Sequence, residues 1–137
     1  MIHVGLAEYI GSVVQGLAYS EAPEGNIFID DLPTDPEVAV GVYLRPGTQP
    51  DSKLPYDPRG VQVLVRGTSD PRVALTLAEA IYSELLALRN LTLPDGTYLV
   101  YALAEQPPFR MDSDVNGRAI YCLNLQTEIR NPTQFRT

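Results

Sequence analysis

Residues 60–88, GVQVLVRGTSDPRVALTLAEAIYSELLAL, force a strand to pass almost directly into a helix. Val61, Val63 and Val65 alternate with Gln62, Leu64 and Arg66, the period of two that sets one face of a strand on a core. Gly67 ends the alternation. Asp70 then stands where its carboxylate can accept from the free amides of a first helical turn, and Pro71 fits the next position, which needs no amide hydrogen. Val73, Leu77, Ile81, Leu85 and Leu88, flanked by Ala74 and Ala78, predict an apolar stripe, with Arg72, Thr76, Glu79 and Ser83 on the wet face. A chain built around this unit must contain a sheet with a helix packed on it.

The remaining segments extend that sheet. Leu6, Ala7, Ile10, Val14 and Leu17 recur at helical spacing within residues 4–17, where Gly5, Gly11 and Gly16 make the helix dependent on tertiary packing. Residues 26–30 (NIFID) and 38–44 (VAVGVYL) predict two strands, separated by DLPTDPE, whose Pro33 and Pro36 forbid continuous pairing. Residues 45–60 hold four prolines and two glycines without a period and predict an extended loop. After the second helix, PDG at 94–96 signals a turn, and residues 97–103 (TYLVYAL) predict a central strand. Pro107 and Pro108 halt it, and residues 118–129 alternate as a long half-buried strand. The expected architecture is one α+β domain over residues 1–137, with a mostly antiparallel mixed sheet of about five strands covered on one face by two helices.

Length and charge narrow the functional classes. A chain of 137 residues buries roughly two-thirds of the surface it exposes unfolded and needs no disulfide staple. The single cysteine, Cys122, lies in an apolar strand and has no partner within the chain, which suits a reducing cytosol. No N-terminal signal and no apolar run approaching a bilayer span are visible, so no membrane association is expected. The net charge of −7 is uneven: residues 1–60 hold nine acids against Arg45, Lys53 and Arg59, whereas residues 61–137 hold eight acids against seven arginines. Between residues 21 and 37 stand Glu21, Glu24, Asp30, Asp31, Asp35 and Glu37 with no base, a segment that repels a phosphate backbone. Taken one at a time, such carboxylates read as a solvated acidic loop.

No constellation of reactive groups emerges. Residues 112–117 copy the opening of a calcium-binding loop, but its twelfth position, which requires a bidentate carboxylate, is Leu123, and Asn116-Gly117 reads better as a hairpin turn. His3 is the only histidine, sits close to the N-terminus, and has no serine or cysteine beside it to activate. One histidine and one cysteine fall short of a zinc site, and Gly67-Thr68-Ser69 lacks the phosphate-loop pattern. No catalytic, metal or cofactor residue is assigned.

The order of segments resembles the tail terminator family of long-tailed bacteriophages. The features that carry the resemblance are an N-terminal helix, a short strand leading into the acidic DLP turn at Asp30 to Pro33, a second apolar strand, the strand Gln62 to Arg66 and the ALTLAEAIYSEL helix. A strand after a turn, a proline break with an aromatic, an Asn-Gly turn and a closing strand follow. The proline content of residues 45–60 departs from the pattern. The resemblance implies a virion protein with no catalytic residues. It would form a homo-oligomeric ring, a hexamer, on the tail tube protein and present a surface to the head-tail connector protein, while DNA passes through the lumen without specific binding. It would be assembled in the host cytoplasm and sit at the head-proximal end of the tail.

Because a ring closes through two unlike edges, the candidate interface pairs are the acids Asp30, Asp31 and Asp35 against Arg66, Arg110, Arg118 and Arg130, the same acids being alternative candidates for the lumen. Arg45, Lys53, Leu54, Tyr56 and Arg59 make the proline-rich loop a candidate partner surface, separable from the fold across residues 49–58. Another head-tail joining or tail-completion role, and a small enzyme, are the competing classes. An enzyme requires a concave site gathering at least three carboxylates and tyrosines.

Overall fold

The computed structural model describes residues 1–19 and 25–137. Its elements in chain order are α1 (Ile2–Val13), β1 (Ile27–Ile29), β2 (Ala39–Arg45), β3 (Tyr56–Arg66), α2 (Pro71–Leu85), β4 (Arg89–Thr92), β5 (Tyr98–Ala104), β6 (Phe109–Ser113) and β7 (Ala119–Arg130). Among the described residues the sheet has seven strands, in the order β1-β2-β3-β7-β5-β4, with β6 on the free half of β7 beyond β5. β1 and β2 are parallel and the other pairs antiparallel. The α+β class holds. The two strands beyond the expected five are β4 and β6, short hairpin partners of β5 and β7 that are exposed along most of their length and so carry no apolar period.

One face of the sheet supplies the core. Val40, Val42, Val61, Val63, Val65, Leu123, Leu125 and Leu99 meet Leu6 and Ile10 of α1 and Ala78, Ile81 and Leu85 of α2 in a single cluster. Each fully buried Ile or Leu there contributes about 1.5–3 kcal/mol relative to exposure. Both helices therefore lie on the same face. Asp70 caps α2 as expected, accepting from the Arg72 amide at 3.0 Å. The inward stripe of α2 is rotated from the expected one: Ala74, Ala78, Ile81 and Leu85 are buried, while Val73 is 36% exposed. Gly67 explains the rotation. A β-carbon there would lie 2.6 Å from the Ala74 amide nitrogen, so the strand end and the small side of the helix touch backbone to backbone.

Three boundaries also differ from expectation. α1 begins at Ile2 and places His3 in the interior, 4% exposed. β2 takes in Arg45, and β3 begins at Tyr56, which reduces the irregular loop to residues 46–55. Pro58 is compatible with a strand because β2 pairs with β3 only from Gly60 onward, so residues 56–59 form an edge on that side. A bulge between Leu99 and Tyr101 interrupts the alternation of β5: Leu99 faces the core opposite Ile129, yet Tyr101 pairs with Glu128 on the uncovered face.

Candidate functional site

The acidic candidates and two of the candidate arginines do meet, within one chain and through backbone. Arg66, at the end of β3, is 1% exposed. Its guanidinium donates to the carbonyls of Pro33, Pro36 (2.8 Å) and Glu37 (3.0 Å). Arg118 is 6% exposed, donates to the Thr34 carbonyl at 3.1 Å and pairs with Asp114 at 2.7 Å. Asp114 lies 3.9 Å from Arg66 as well. Arg66 and Arg118 are therefore not interface arginines: both are interior donors holding residues 33–37 onto the sheet. The physical reason is that this connection, broken by two prolines, makes no ladder of its own, and its carbonyls need other donors.

The carboxylates on that connection point elsewhere. Asp31 accepts from the Leu32 amide at 2.8 Å, and Asp31, Asp35 and Glu37 are exposed without an ion pair among the described residues. Asp30 approaches His3 Nε2 at 3.2 Å and accepts from the Leu44 amide at 3.3 Å. Glu21 and Glu24 lie outside the described residues. Arg110 and Arg130 are exposed, as an interface requires; Arg110 donates to Ser113 Oγ at 2.8 Å and Arg130 forms no ion pair among the described residues.

The proline-rich loop is fastened at its far end. Asp57 is 4% exposed and receives a bidentate pair from Arg136, a bond from Asn131 Nδ2 at 2.7 Å and a contact from Arg59 at 3.2 Å. Arg136 also donates to the carbonyls of Asp51 and Leu54, at 3.1 and 3.3 Å. The Arg136 bonds hold the Asp57 carboxyl at about 2, against the opposing effect of burial. The segment 49–58 is thus not separable from the fold, since its last residues are strand and one is a buried anchor. Of the candidate partner residues, Lys53, Leu54 and Tyr56 are exposed, whereas Arg45 is half-buried and pairs with Glu105 at 3.2 Å, and Arg59 is half-buried against Asp57.

Among the concave surfaces of the described residues, one of about 680 Å³ lies around Met1, His3, Asp95 and Asn131, and two others lie on opposite faces of the sheet. In the helical layer, an apolar groove of about 640 Å³ runs between the end of α1 and the outer flank of α2, lined by Val13, Leu17, Val38, Val73 and Leu77. Val73, expected in the core, forms its wall together with Leu77, which is partly buried against the core. On the uncovered face, the loop passes so close to β3 that a β-carbon on Gly47 would sit 2.6 Å from the Pro58 oxygen, leaving a trough beneath it. The trough gathers Asp51, Tyr56, Tyr101 and Glu128. The amides of Lys53 and Leu54 hold the Asp51 carboxyl below its ordinary value, the reverse of what a proton-donating acid needs. Burial pushes the Cys122 thiol up, away from nucleophilic reactivity. Asn116-Gly117 forms the turn between β6 and β7, with the Gly117 amide on the Asp114 carbonyl at 3.0 Å, and Asp114 is committed to Arg118.

Comparison with known families decides what these surfaces belong to. Residues 5–131 match the family described as bacteriophage tail terminator protein. The chain belongs to the tail terminator family. A search of curated proteins gives no match. The matched span runs from α1 through β7 and includes the loop, the trough and both interior arginines. Family membership makes this a structural protein of the phage tail. Among the described residues no helix is long and apolar enough to cross a membrane.

Two expectations follow for the terminator fold. Arg66→Met preserves volume but strips three carbonyls of their donor, and should cost about 2–4 kcal/mol in urea unfolding. Arg66→Lys should recover only part, because one ammonium cannot span the three acceptors; a loss under about 0.5 kcal/mol for Met would show that the connection holds itself.

The second concerns pH. A depressed carboxyl pKa adds stability that is complete above the unfolded value near 4 and is lost as pH falls through about 2. Discounted for the solvent reaching the Arg136 guanidinium, Asp57 should supply about 1–2 kcal/mol at neutral pH. Arg136→Ala should therefore be less stable than wild type by that amount at pH 7, with the gap closing between pH 4 and 2. A gap unchanged across that range would assign the effect to packing instead.

Proposed function

We propose that six copies close into a ring on the head-proximal end of the tail tube, stop tube growth there and offer their free surface to the head-tail connector. The observation that carries this reading is the family match over residues 5–131. Its geometric support is the pair of unlike concave surfaces, one in the helical layer and one on the uncovered sheet face. Closed rings require heterologous contacts, in which a patch meets a different patch on the next copy, and two faces of different chemistry suit that arrangement. A neighbouring head-tail joining role would use the same surfaces against other partners. Reading the trough as an acid-base site is disfavoured by the direction in which Asp51 is shifted.

Size exclusion with light scattering should give a ring mass for the concentrated protein or for protein mixed with tube subunits, and negative-stain images should show capped tube ends. A monomer at every concentration that leaves tubes growing would overturn the terminator role.

We assign Asp31 and Asp35 to the channel wall or its rim, where repeated negative charge keeps passing DNA from sticking. They are the informative pair, since Asp30 is tied to His3. Asp31→Lys with Asp35→Lys should leave rings intact and slow DNA ejection, most strongly at low salt, where screening is weak. Normal rings with wild-type ejection at all salt concentrations would remove the acids from the channel.

A further inference from the structure

The uncovered face carries three cross-strand rows side by side: Gly60–Gln126–Leu103, Pro58–Glu128–Tyr101 and Tyr56–Arg130–Tyr98. Beneath the loop, the trough has two joined parts of about 250 and 360 Å³, which share Thr48, Pro58 and Tyr101. In the smaller part Arg45 pairs with Glu105, and Arg59 pairs with Asp57. The larger part is lined by Asp51 and Glu128, and no cationic side chain lines it. Asp51 spends one oxygen on the amides of Lys53 and Leu54. Arg136, which reaches the Asp51 carbonyl, is saturated by Asp57 and backbone carbonyls, and Arg89, exposed on β4 beside Tyr101 at the end of the Glu128 row, does not line the trough. Glu128 is half-buried and has no ion pair among the described residues, although Arg130 stands one row away. A carboxylate lined up with two tyrosines in a recess of side-chain size suits a guanidinium, which packs on aromatic rings and donates to carboxylates through its fork.

The same chain presents a donor at the other end of the sheet. Arg110 is exposed on β6 and sits beside Tyr121, whereas the trough is built around Glu128. At about 3.3 Å per residue those two positions of β7 are roughly 23 Å apart. A donor on β6, beside a tyrosine that packs on the helical face, and an acceptor near the far end of β7 on the uncovered face are two unlike edges, the kind that a closed ring requires.

We propose that Arg110 of each copy enters the trough of the next, its guanidinium lying against Tyr56 or Tyr101 and bonding to Glu128. The contact rests on the ring reading for its geometry, while the affinity of the trough for a guanidinium does not. Reversal of either charge should raise the concentration needed for ring assembly by roughly tenfold or more. The exchanged pair, Arg110→Glu with Glu128→Arg, should restore it. Far-ultraviolet circular dichroism would confirm that each variant is folded. Rings that form normally with Glu128→Arg would overturn the contact while leaving the ring standing. Loss of capping with Glu128→Arg but not with Arg110→Glu would place the arginine on the tube protein and overturn the assignment to a neighbouring copy.

An independent measurement needs no ring. Titration of isotopically labelled protein with acetyl-Gly-Arg-Gly-amide should shift the amide signals of residues 48–56, Tyr101 and Glu128. The norleucine peptide should not, and Glu128→Gln should weaken the response roughly tenfold. Equal responses to both peptides, an unchanged response in Glu128→Gln, or restoration of binding in Glu128→Gln by Arg130→Ala would each overturn the trough as an arginine site.

Discussion

The connection between β1 and β2 depends on one buried guanidinium. Parallel strands need a crossover, and crossovers ordinarily use a helix that satisfies its own backbone. Here only residues 30–38 are available, and Pro33 and Pro36 deny them regular pairing. Arg66 replaces the missing helix by donating to three carbonyls at once, and Arg118 adds a fourth. Because Arg66 closes β3 and Gly67 turns the chain into α2, the same few residues fix the crossover on one face and the helix on the other. The acidic connection is thereby displayed as a fixed surface, and of its carboxylates only Asp30, at its start, helps to hold it.

What could be read in advance follows from how local each signal is. The cap at Asp70, the strand at 61–66 and the alternation of β7 are set by neighbours in sequence, and the structure agrees. β4 and β6 were invisible because each is a short edge whose residues are polar or exposed; only their turns, PDG and Asn116-Gly117, left a mark. Pro58 misdirects because a proline is barred from a paired strand but not from a strand whose outer side is free. The role of Arg66 could not be read at all, since its acceptors are backbone carbonyls far along the chain, which no side chain announces, and of the two partners of Arg118 only Asp114 is a nearby side chain. His3, close to the N-terminus in sequence, is buried because α1 begins one residue earlier in the chain.

The terminator family supplies the tail context, and the structure supplies a chemistry for it. The helical layer offers an apolar recess, and the sheet layer offers a polar, aromatic one. The second gathers Asp51, Glu128, Tyr56 and Tyr101, with the Asp51 carboxyl held below its ordinary value by backbone amides. A contact made in the apolar recess would respond to solvent exclusion, and one made in the charged recess to ionic strength.

The bulge in β5 bears on how relatives should be compared. Tyr101 reaches the uncovered face only because one extra residue resets the pleat after Leu99. In a relative without that residue, an aromatic two places beyond the leucine would point into the core instead, although an alignment would pair it with Tyr101 and score it as retained. The identity of the side chain and the side of the sheet on which it appears are therefore inherited separately. In this segment a gap of a single position carries more functional information than any substitution.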